Sequence, residues 1–371
     1  MNSFPENWSP LKVVLSHDWL TGMRGGERVL DLLGRGFPQA PIYTLIHQRT
    51  AVSESINAHP IHTSWLQRVP GIMEHYRYFL PVFPFTAERF KLPEADLLIS
   101  TSHCVAKGVI PRPGTRHLCY CFTPMRYAWT FYGEYFGGNT LKKAMVSPLL
   151  AALRKWDREA SSRVHRFAAI SRHVQQRIKT FYDRDADIVF PPVATDFYTP
   201  GAEGHDGFDL IVSALVPYKR IDLAVRAYNR LGYPLVVAGT GTELEKFRGM
   251  AASNIRFTGR IPDEAIRDLY RRCRLLVFPG EEDFGIVPVE AQSCGKPVVA
   301  YRSGGALETI VDGKTGVFFN RQTEESLLES VEACAGQAWN PSLLRENALR
   351  FSEKSFIDGM ANVIHNCLND K

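Results

Sequence analysis

The sequence predicts an α/β protein of two domains, each a parallel sheet with crossover helices. Three observations lead there. Short apolar runs alternate with helical patterns along most of the chain, which is the signature of βαβ units. The length of 371 residues exceeds one ordinary core and suits two. A segment rich in Pro and Gly, VFPPVATDFYTPGAEGHDGF, interrupts the alternation near the middle.

In the first half, KVVLSHDW reads as a strand running into a loop and GGERVLDLLGRGF as the helix after it. ADLLISTS and RHLCYCF read as later strands. The stretch Pro124 to Phe136, PMRYAWTFYGEYF, is dense in aromatics and suits a cleft wall. A long helix follows from about Ser147 to Arg163, then the strand FAAIS and the helix RHVQQRIKTFY. In the second half DLIVSAL, PLVVAGTG, IRFTGR, RLLVFPG, KPVVAYRSG and TGVFF read as strands. RIDLAVRAYNRL carries apolar residues at helical spacing, and further helices start near Thr242, Pro262, Pro288 and Gly305. The expected domains are 1–195 and 196–352, with a last helix over 353–371 returning to the first. Two such sheets would leave a ligand cleft at the carboxyl ends of their strands.

Composition excludes several classes. Apolar residues are 45% and charged residues 22%, as in soluble globular proteins. The first residues lack the charged start and apolar run of a secretory signal, and no apolar run is long enough to span a bilayer. The seven cysteines show no CxxC pairing, which predicts buried thiols in a reducing cytoplasm. Net charge is a mild +5, but Leu141 to Thr180 holds ten Lys or Arg against two acids. That stretch reads either as a surface lying on an anionic membrane or as a solvated helix face. No nucleic-acid reader motif accompanies it.

The densest chemical signal is PGEEDFGIVPVEAQSCGKPVVA, Pro279 to Ala300. A strand, a loop and a helix with Pro in its first turn follow one another. Gly285 permits close approach to a ligand, and the helix start offers free N–H groups and a positive dipole end that favour a diphosphate. Glu282 and Glu290 suit ribose and hexose hydroxyls, because an ionised carboxylate only accepts. Lys219 opens a helix after a strand end, where the dipole disfavours a cation, so a ligand-binding role is the better reading. Asp183 and Asp185 flank an Arg on a polar link and read as a surface turn rather than a metal site.

This stretch resembles the E-x7-E motif of retaining glycosyltransferase family 4, which has the GT-B fold. SHDWLTGMRGGERVL, TSHCVAKGV, YCFTPMRYAW, SALVPYKRIDLAV, VVAGTGTEL, FTGRIPDEAIRDLY and SGGALETI resemble successive elements of the same family. In pattern the chain is similar to mannosyltransferases of bacterial surface-polysaccharide assembly. The resemblance implies two Rossmann-like domains, the first for the acceptor and the second for the donor. It implies a nucleotide-sugar donor, GDP-mannose favoured over a UDP-sugar, with no essential metal. It implies a glycan or lipid-linked acceptor and a cytoplasmic location at the inner face of the bacterial membrane. By resemblance Glu290 binds the donor ribose and Glu282 the transferred sugar. Phe284, Gly285, Ile286 and Val287 meet sugar and phosphates through the backbone, and Lys219 neutralises the diphosphate. Arg220 shares or replaces that role. Gly25 and Gly26 approach the phosphate from the first domain, and Gly239, Arg260 and Ile261 border the nucleotide.

The sequence departs from the family twice. Ala214 stands where the family has a phosphate-binding Arg, and Phe122 where it has a His that meets the donor sugar. Thr130 replaces an acid that often follows. The expected substitutes are Arg126, His103 or Lys107. The alternative is a chain that binds nucleotide sugar or a partner subunit without turnover.

Overall fold

The computed structural model describes residues 4–129, 140–202 and 204–370, with the backbone alone over 140–146. Two compact units share them: Met1–Pro191 with Phe356–Lys371, and Pro192–Ser355.

The first unit is a seven-stranded sheet in the order β3-β2-β1-β4-β5-β6-β7. Its strands are β1 (Val13–His17), β2 (Ile42–Thr44), β3 (Ile61–Thr63), β4 (Leu97–Ser102), β5 (Arg116–Cys121), β6 (Arg166–Ala169) and β7 (Asp187–Ile188), all paired parallel. β1 and β4 are buried along their whole length, because helices and loops cover both faces of a parallel sheet. Helix Gly25–Gly36 follows β1 and buries Val29, Leu30, Leu32 and Leu33. Glu27, in its first turn, accepts the Arg24 N–H at 3.1 Å and so closes the helix start. Helix Arg172–Tyr182 is capped by the Ser171 hydroxyl, which accepts the Val174 N–H. It ends on Asp183 in the left-handed region, and Lys179 lies within ion-pair distance of both Asp183 and Asp185.

The second unit is a six-stranded parallel sheet in the order β10-β9-β8-β11-β12-β13. These are β8 (Asp209–Val212), β9 (Leu235–Ala238), β10 (Ile255–Gly259), β11 (Leu276–Phe278), β12 (Val298–Tyr301) and β13 (Gly316–Phe319). Adjacent residues of one strand serve opposite faces. Ile211, Val237, Val277, Val299 and Phe319 join one apolar cluster. Leu210, Val236, Leu276, Val298 and Phe318 join the other. Helix Ile221–Leu231 seals the first face with Leu223, Ala224, Ala227 and Tyr228, and Gly232 terminates it.

Each sheet reverses its strand order once, between β1 and β4 in the first unit and between β8 and β11 in the second. Loops at the carboxyl ends of those strand pairs are where open α/β sheets bind ligands. The last helix, Glu353–Asn369, lays Phe356 edge-on against Tyr120 of β5, with ring centroids 5.5 Å apart.

Lys107 is not available as a substitute for the family His. It lies in a tight turn, Ala106–Gly108, rather than on a helix face shared with His103. Its ammonium is buried, ion-paired with the fully buried Asp157 and hydrogen-bonded to the Cys104 carbonyl at 3.1 Å. Asp157 also accepts the Trp129 indole N–H at 2.8 Å and the Tyr182 hydroxyl at 2.6 Å. A buried ion pair with all its partners satisfied is a packing element of the unit.

His117 in β5 is fully buried, with Nε2 2.8 Å from the Ser100 hydroxyl. Burial, with His165, Arg163 and Lys107 adding to it, pushes its pKa down to about 3 from 6.5. The unfolded chain takes up this proton near pH 6.5 and the folded chain resists it, so the stability is present above that pH and lost as pH falls. In urea titrations between pH 6 and 5, His117→Gln is expected to lower the pH slope of the unfolding free energy by about 1.4 kcal/mol per pH unit. An unchanged slope would contradict a neutral, buried His117.

Candidate functional site

At the switch point of the second unit, two loops are pressed together. After β8 the chain makes a tight turn, Pro217–Lys219, then places Arg220 in the left-handed region at φ 54°, ψ 34°. A non-glycine residue there costs about 1–2 kcal/mol, which the surrounding contacts must hold in place. Arg220 donates to the Gln322 side-chain oxygen at 2.8 Å, and Gln322 in turn donates to the Pro279 carbonyl at 3.1 Å. The turn is thereby tied to the exit of β11. A Cβ at Gly280 would strike the Lys219 backbone, so only glycine lets the loops meet this closely.

The contact delivers Lys219 to Glu282. Their side chains form an ion pair, and both are largely covered, at 13% and 24% exposure. Sequence spacing alone does not bring together residues so far apart in the chain. Beside them helix Ile286–Ser293 begins. Its N-cap is Gly285, at φ 93°, which has no side chain with which to cap the turn. Pro288 carries no N–H, so the first turn presents the backbone donors of Ile286 and Val287. The Gly305 N–H donates to the Glu282 carbonyl at 2.8 Å, clamping the loop from the β12 side. The Ser303 hydroxyl donates to Glu281 at 2.7 Å.

The remaining expected donor-site residues fall in distinct settings. Glu290 is 6% exposed and accepts the Tyr270 hydroxyl at 2.8 Å. Burial and the Glu290 charge push the Tyr270 pKa up, which keeps it a donor. Phe284 is buried against Phe351, with ring centroids 5.4 Å apart, so only its backbone is offered to a ligand. Gly239, at φ 137°, packs its α-carbon against the Ser213 carbonyl and so holds the ends of β8 and β9 together. Ala214 is exposed. Arg260 is exposed just past β10, and Ile261 lines a shallow groove with Phe257, Ala265 and Leu269. Arg220, expected to share the phosphate role, is instead directed to Gln322 and Asp222.

The other expected residues belong to the first unit. Gly25 opens the helix after β1, and Gly26 packs against Phe122 and His17. Arg126 starts the short helix Arg126–Trp129 and is half-buried. His103 lies 3.0 Å from Asp18. Thr130 and most of the aromatic stretch to Phe136 lie outside the described residues. In the basic stretch, Arg154 and Arg158 donate to the Ala128 and Phe181 carbonyls, and Arg163 and Arg166 pair with Glu88 and Asp187. Sequence reasoning missed Gln322 and Tyr270, whose partners are distant in the chain, and it missed His17 and Asp18. Those two stand at a strand's carboxyl end, which is a readable signal. Among the described residues no three His, Cys, Asp or Glu side chains gather as metal ligands, and no helix is long and apolar enough to cross a membrane.

Residues 199–345 match the family model described as Glycosyl transferases group 1. An uncharacterized glycosyltransferase of Methanocaldococcus jannaschii is 26% identical over 53% of this chain and 56% of its own length. A GDP-mannose-dependent alpha-(1-6)-phosphatidylinositol monomannoside mannosyltransferase of Mycolicibacterium smegmatis is 30% identical over 52% of this chain and 58% of its own. The chain thus matches little more than half the length of these relatives. Among solved structures, Anabaena HepE in complex with UDP and glucose superposes with a TM-score of 0.72 at 16% identity, covering 96% of this chain and 99% of that one. Sucrose-phosphate synthase of Thermosynechococcus elongatus also gives 0.72, at 14% identity over 97% and 100%. The fold is GT-B, and the second unit carries a glycosyl transferases group 1 domain.

The clamp on the Glu282 loop is testable without a ligand. A Cβ at Gly305 would collide with the Phe284 backbone, whereas one at Gly249 meets open space. Gly305→Ala is expected to lower stability by about 1–3 kcal/mol in thermal unfolding. Gly249→Ala, inside a helix, is expected to be neutral or to stabilise by up to about 1 kcal/mol. Equal melting of the two variants would contradict the packing.

Proposed function

We propose, from a chain whose residues 199–345 form a glycosyl transferases group 1 domain, that it moves a hexose from a nucleotide-sugar donor to a hydroxyl of a glycan or lipid-linked acceptor, with retention of anomeric configuration. The observation that carries this reading is the Lys219–Glu282 pair set beside the uncapped start of helix Ile286–Ser293. Breaking the glycosidic bond to the diphosphate leaves negative charge on the departing oxygen. An ammonium and a helix N-terminus held in advance at that position stabilise it without reorganising at the moment of reaction.

The ion pair has a chemical sense. Without donor, Glu282 answers the charge of Lys219. A bound diphosphate takes over the ammonium and leaves the Glu282 carboxylate to accept hydrogen bonds from sugar hydroxyls. Glu290, oriented by Tyr270, is assigned to the ribose hydroxyls. With Ala214 neutral and Arg220 engaged elsewhere, Lys219 is assigned the main cationic role.

Mannose from GDP-mannose is the proposed donor, supported by the name of the mycobacterial relative. A UDP-sugar is the second donor reading, supported at the level of fold by HepE. The setting is surface-polysaccharide assembly at the inner face of a bacterial membrane, supported by the basic excess over residues 141–180. Ala214 and Phe122 favour one further reading, a protein that binds nucleotide sugar without turnover. Donor binding with neither transfer nor donor hydrolysis would select it.

Calorimetry on two variants tests the site. Lys219→Ala is expected to weaken nucleoside diphosphate binding roughly 10- to 100-fold, the loss of one charge-assisted contact. Glu282→Gln removes the competing carboxylate. It is expected to leave diphosphate affinity equal or higher and to cut the added affinity of the nucleotide sugar roughly tenfold. Parental diphosphate affinity in Lys219→Ala would sink the assignment.

A further inference from the structure

The switch point of the first unit also holds a built polar cluster. His17 and Asp18 stand at the carboxyl end of β1 and His103 at that of β4, its parallel neighbour. Asp18 is fully buried. Its carboxylate accepts the backbone N–H groups of His103, Cys104, Val105 and Ala106 at 2.7, 3.0, 2.6 and 2.7 Å. The His103 Nδ1 approaches the same carboxylate at 3.0 Å. Burial pushes the Asp18 pKa up, but the His103 ring and the surrounding donors more than offset this and hold it below the ordinary value. An ionised carboxylate only accepts, so in the neutral ring the His103 proton sits on Nδ1. Nε2 is then the nitrogen left for a ligand, on a side chain 32% exposed.

His17 lies behind it with the same proton arrangement. The Thr101 hydroxyl donates to the Ser16 carbonyl at 3.2 Å, so it accepts from His17 Nδ1 at 2.7 Å. Burial lowers the His17 pKa against the opposing charges of Glu27 and Asp18, which favours the neutral ring. Its Nε2 is buried with no hydrogen-bond partner among the described residues. A buried acceptor without a partner is costly, and such atoms mark places where a ligand or water belongs. The rings of His17, His103 and Phe122 form a triangle, with centroids 6.4, 6.4 and 6.3 Å apart. Gly26 closes it, since a Cβ there would stand 3.3 Å from the Phe122 ring and 3.4 Å from His17.

We infer that this cluster is a sugar-hydroxyl site of the first unit, in which His103 touches the ligand and Asp18 is the positioning residue that sets its tautomer. The inference rests on the glycosyltransferase reading and locates a hydroxyl of the acceptor. The chemistry selects the ligand class. Two imidazoles protonated at Nδ1 present lone pairs at Nε2, and lone pairs are satisfied by donors. A sugar hydroxyl donates, whereas an ionised phosphate oxygen only accepts. Two buried acids, Asp18 and Glu27, further disfavour an anion.

The test uses the full chain labelled with nitrogen-15 histidine, in the absence of nucleotide. Ring signals of His17 and His103 are assigned from His17→Gln and His103→Gln, and methyl α-mannoside, methyl α-glucoside and inorganic phosphate are titrated in. The expected result is a bare Nε2 and a protonated Nδ1 on His103, with Nε2 moving upfield on adding a glycoside and not on adding phosphate. Asp18→Asn is expected to abolish the single tautomer and raise the saturating glycoside concentration roughly tenfold. Should Asp18→Asn fail to fold, His103→Gln leaves the carboxylate and its backbone donors in place and is expected to lose the same affinity. Calorimetry with nucleoside diphosphate on the same samples reads the donor site separately, so failure of one site is distinguishable from failure of the other. No response of either ring to glycosides overturns the inference. So does a response to phosphate, a response to nucleotide sugar alone, or parental glycoside affinity in His103→Gln.

Discussion

The close packing of two loops at the β8–β11 switch point is the constraint on which the donor-site reading depends. Gly280 lets the Glu282 loop lie on the Lys219 backbone, Gln322 bridges Arg220 to Pro279, and the Gly305 N–H holds the Glu282 carbonyl from the other side. Two of these contacts are between backbone and backbone, and the third is a side-chain bridge anchored on a backbone carbonyl, so the geometry leaves little slack. An ammonium, a carboxylate and an uncapped helix start are thus arranged before any ligand arrives. Preorganisation of this kind makes charge stabilisation effective, because the groups need not be gathered during the reaction.

The two units repeat one topological plan and furnish it differently. In the second unit the switch point carries a cation and backbone donors, which suit an anionic diphosphate. In the first unit it carries two imidazoles held by buried acceptors, which suit neutral hydroxyls. The contrast arises from a few side chains at equivalent strand ends, on sheets whose cores are built from the same alternation of aliphatic residues.

Most of the fold is legible in the sequence where apolar runs are long enough to carry a period. The buried strands DLIV, LVVA and VVAY, and helices such as Ile221–Leu231, are of this kind. Strands β2 and β3, at three residues each, are too short to register, and the turns between them and β4 have no lasting period. Glu282, Gly285 and Lys219 are readable because loop chemistry after a strand is local. The Lys219–Glu282 pairing is not, since it depends on strand order. The pairings of Arg220 with Gln322 and of Lys107 with Asp157 span 102 and 50 residues of chain, separations that no local pattern encodes. Asp18 was readable in principle, as an acid at the end of a buried strand, but its four backbone partners come from the far side of the β1–β4 pair.

On this reading the second unit holds a nucleoside diphosphate at Lys219 and the start of helix Ile286–Ser293. The most direct test is thermal unfolding of the unaltered protein with GDP, UDP and ADP added in turn. A ligand that binds only the folded state stabilises it by about 2.7 kcal/mol at a hundred times its Kd. The account requires a clear rise in melting temperature with one of the three, and GDP is the expected one. No rise with any of them would mean that these loops do not form a diphosphate site.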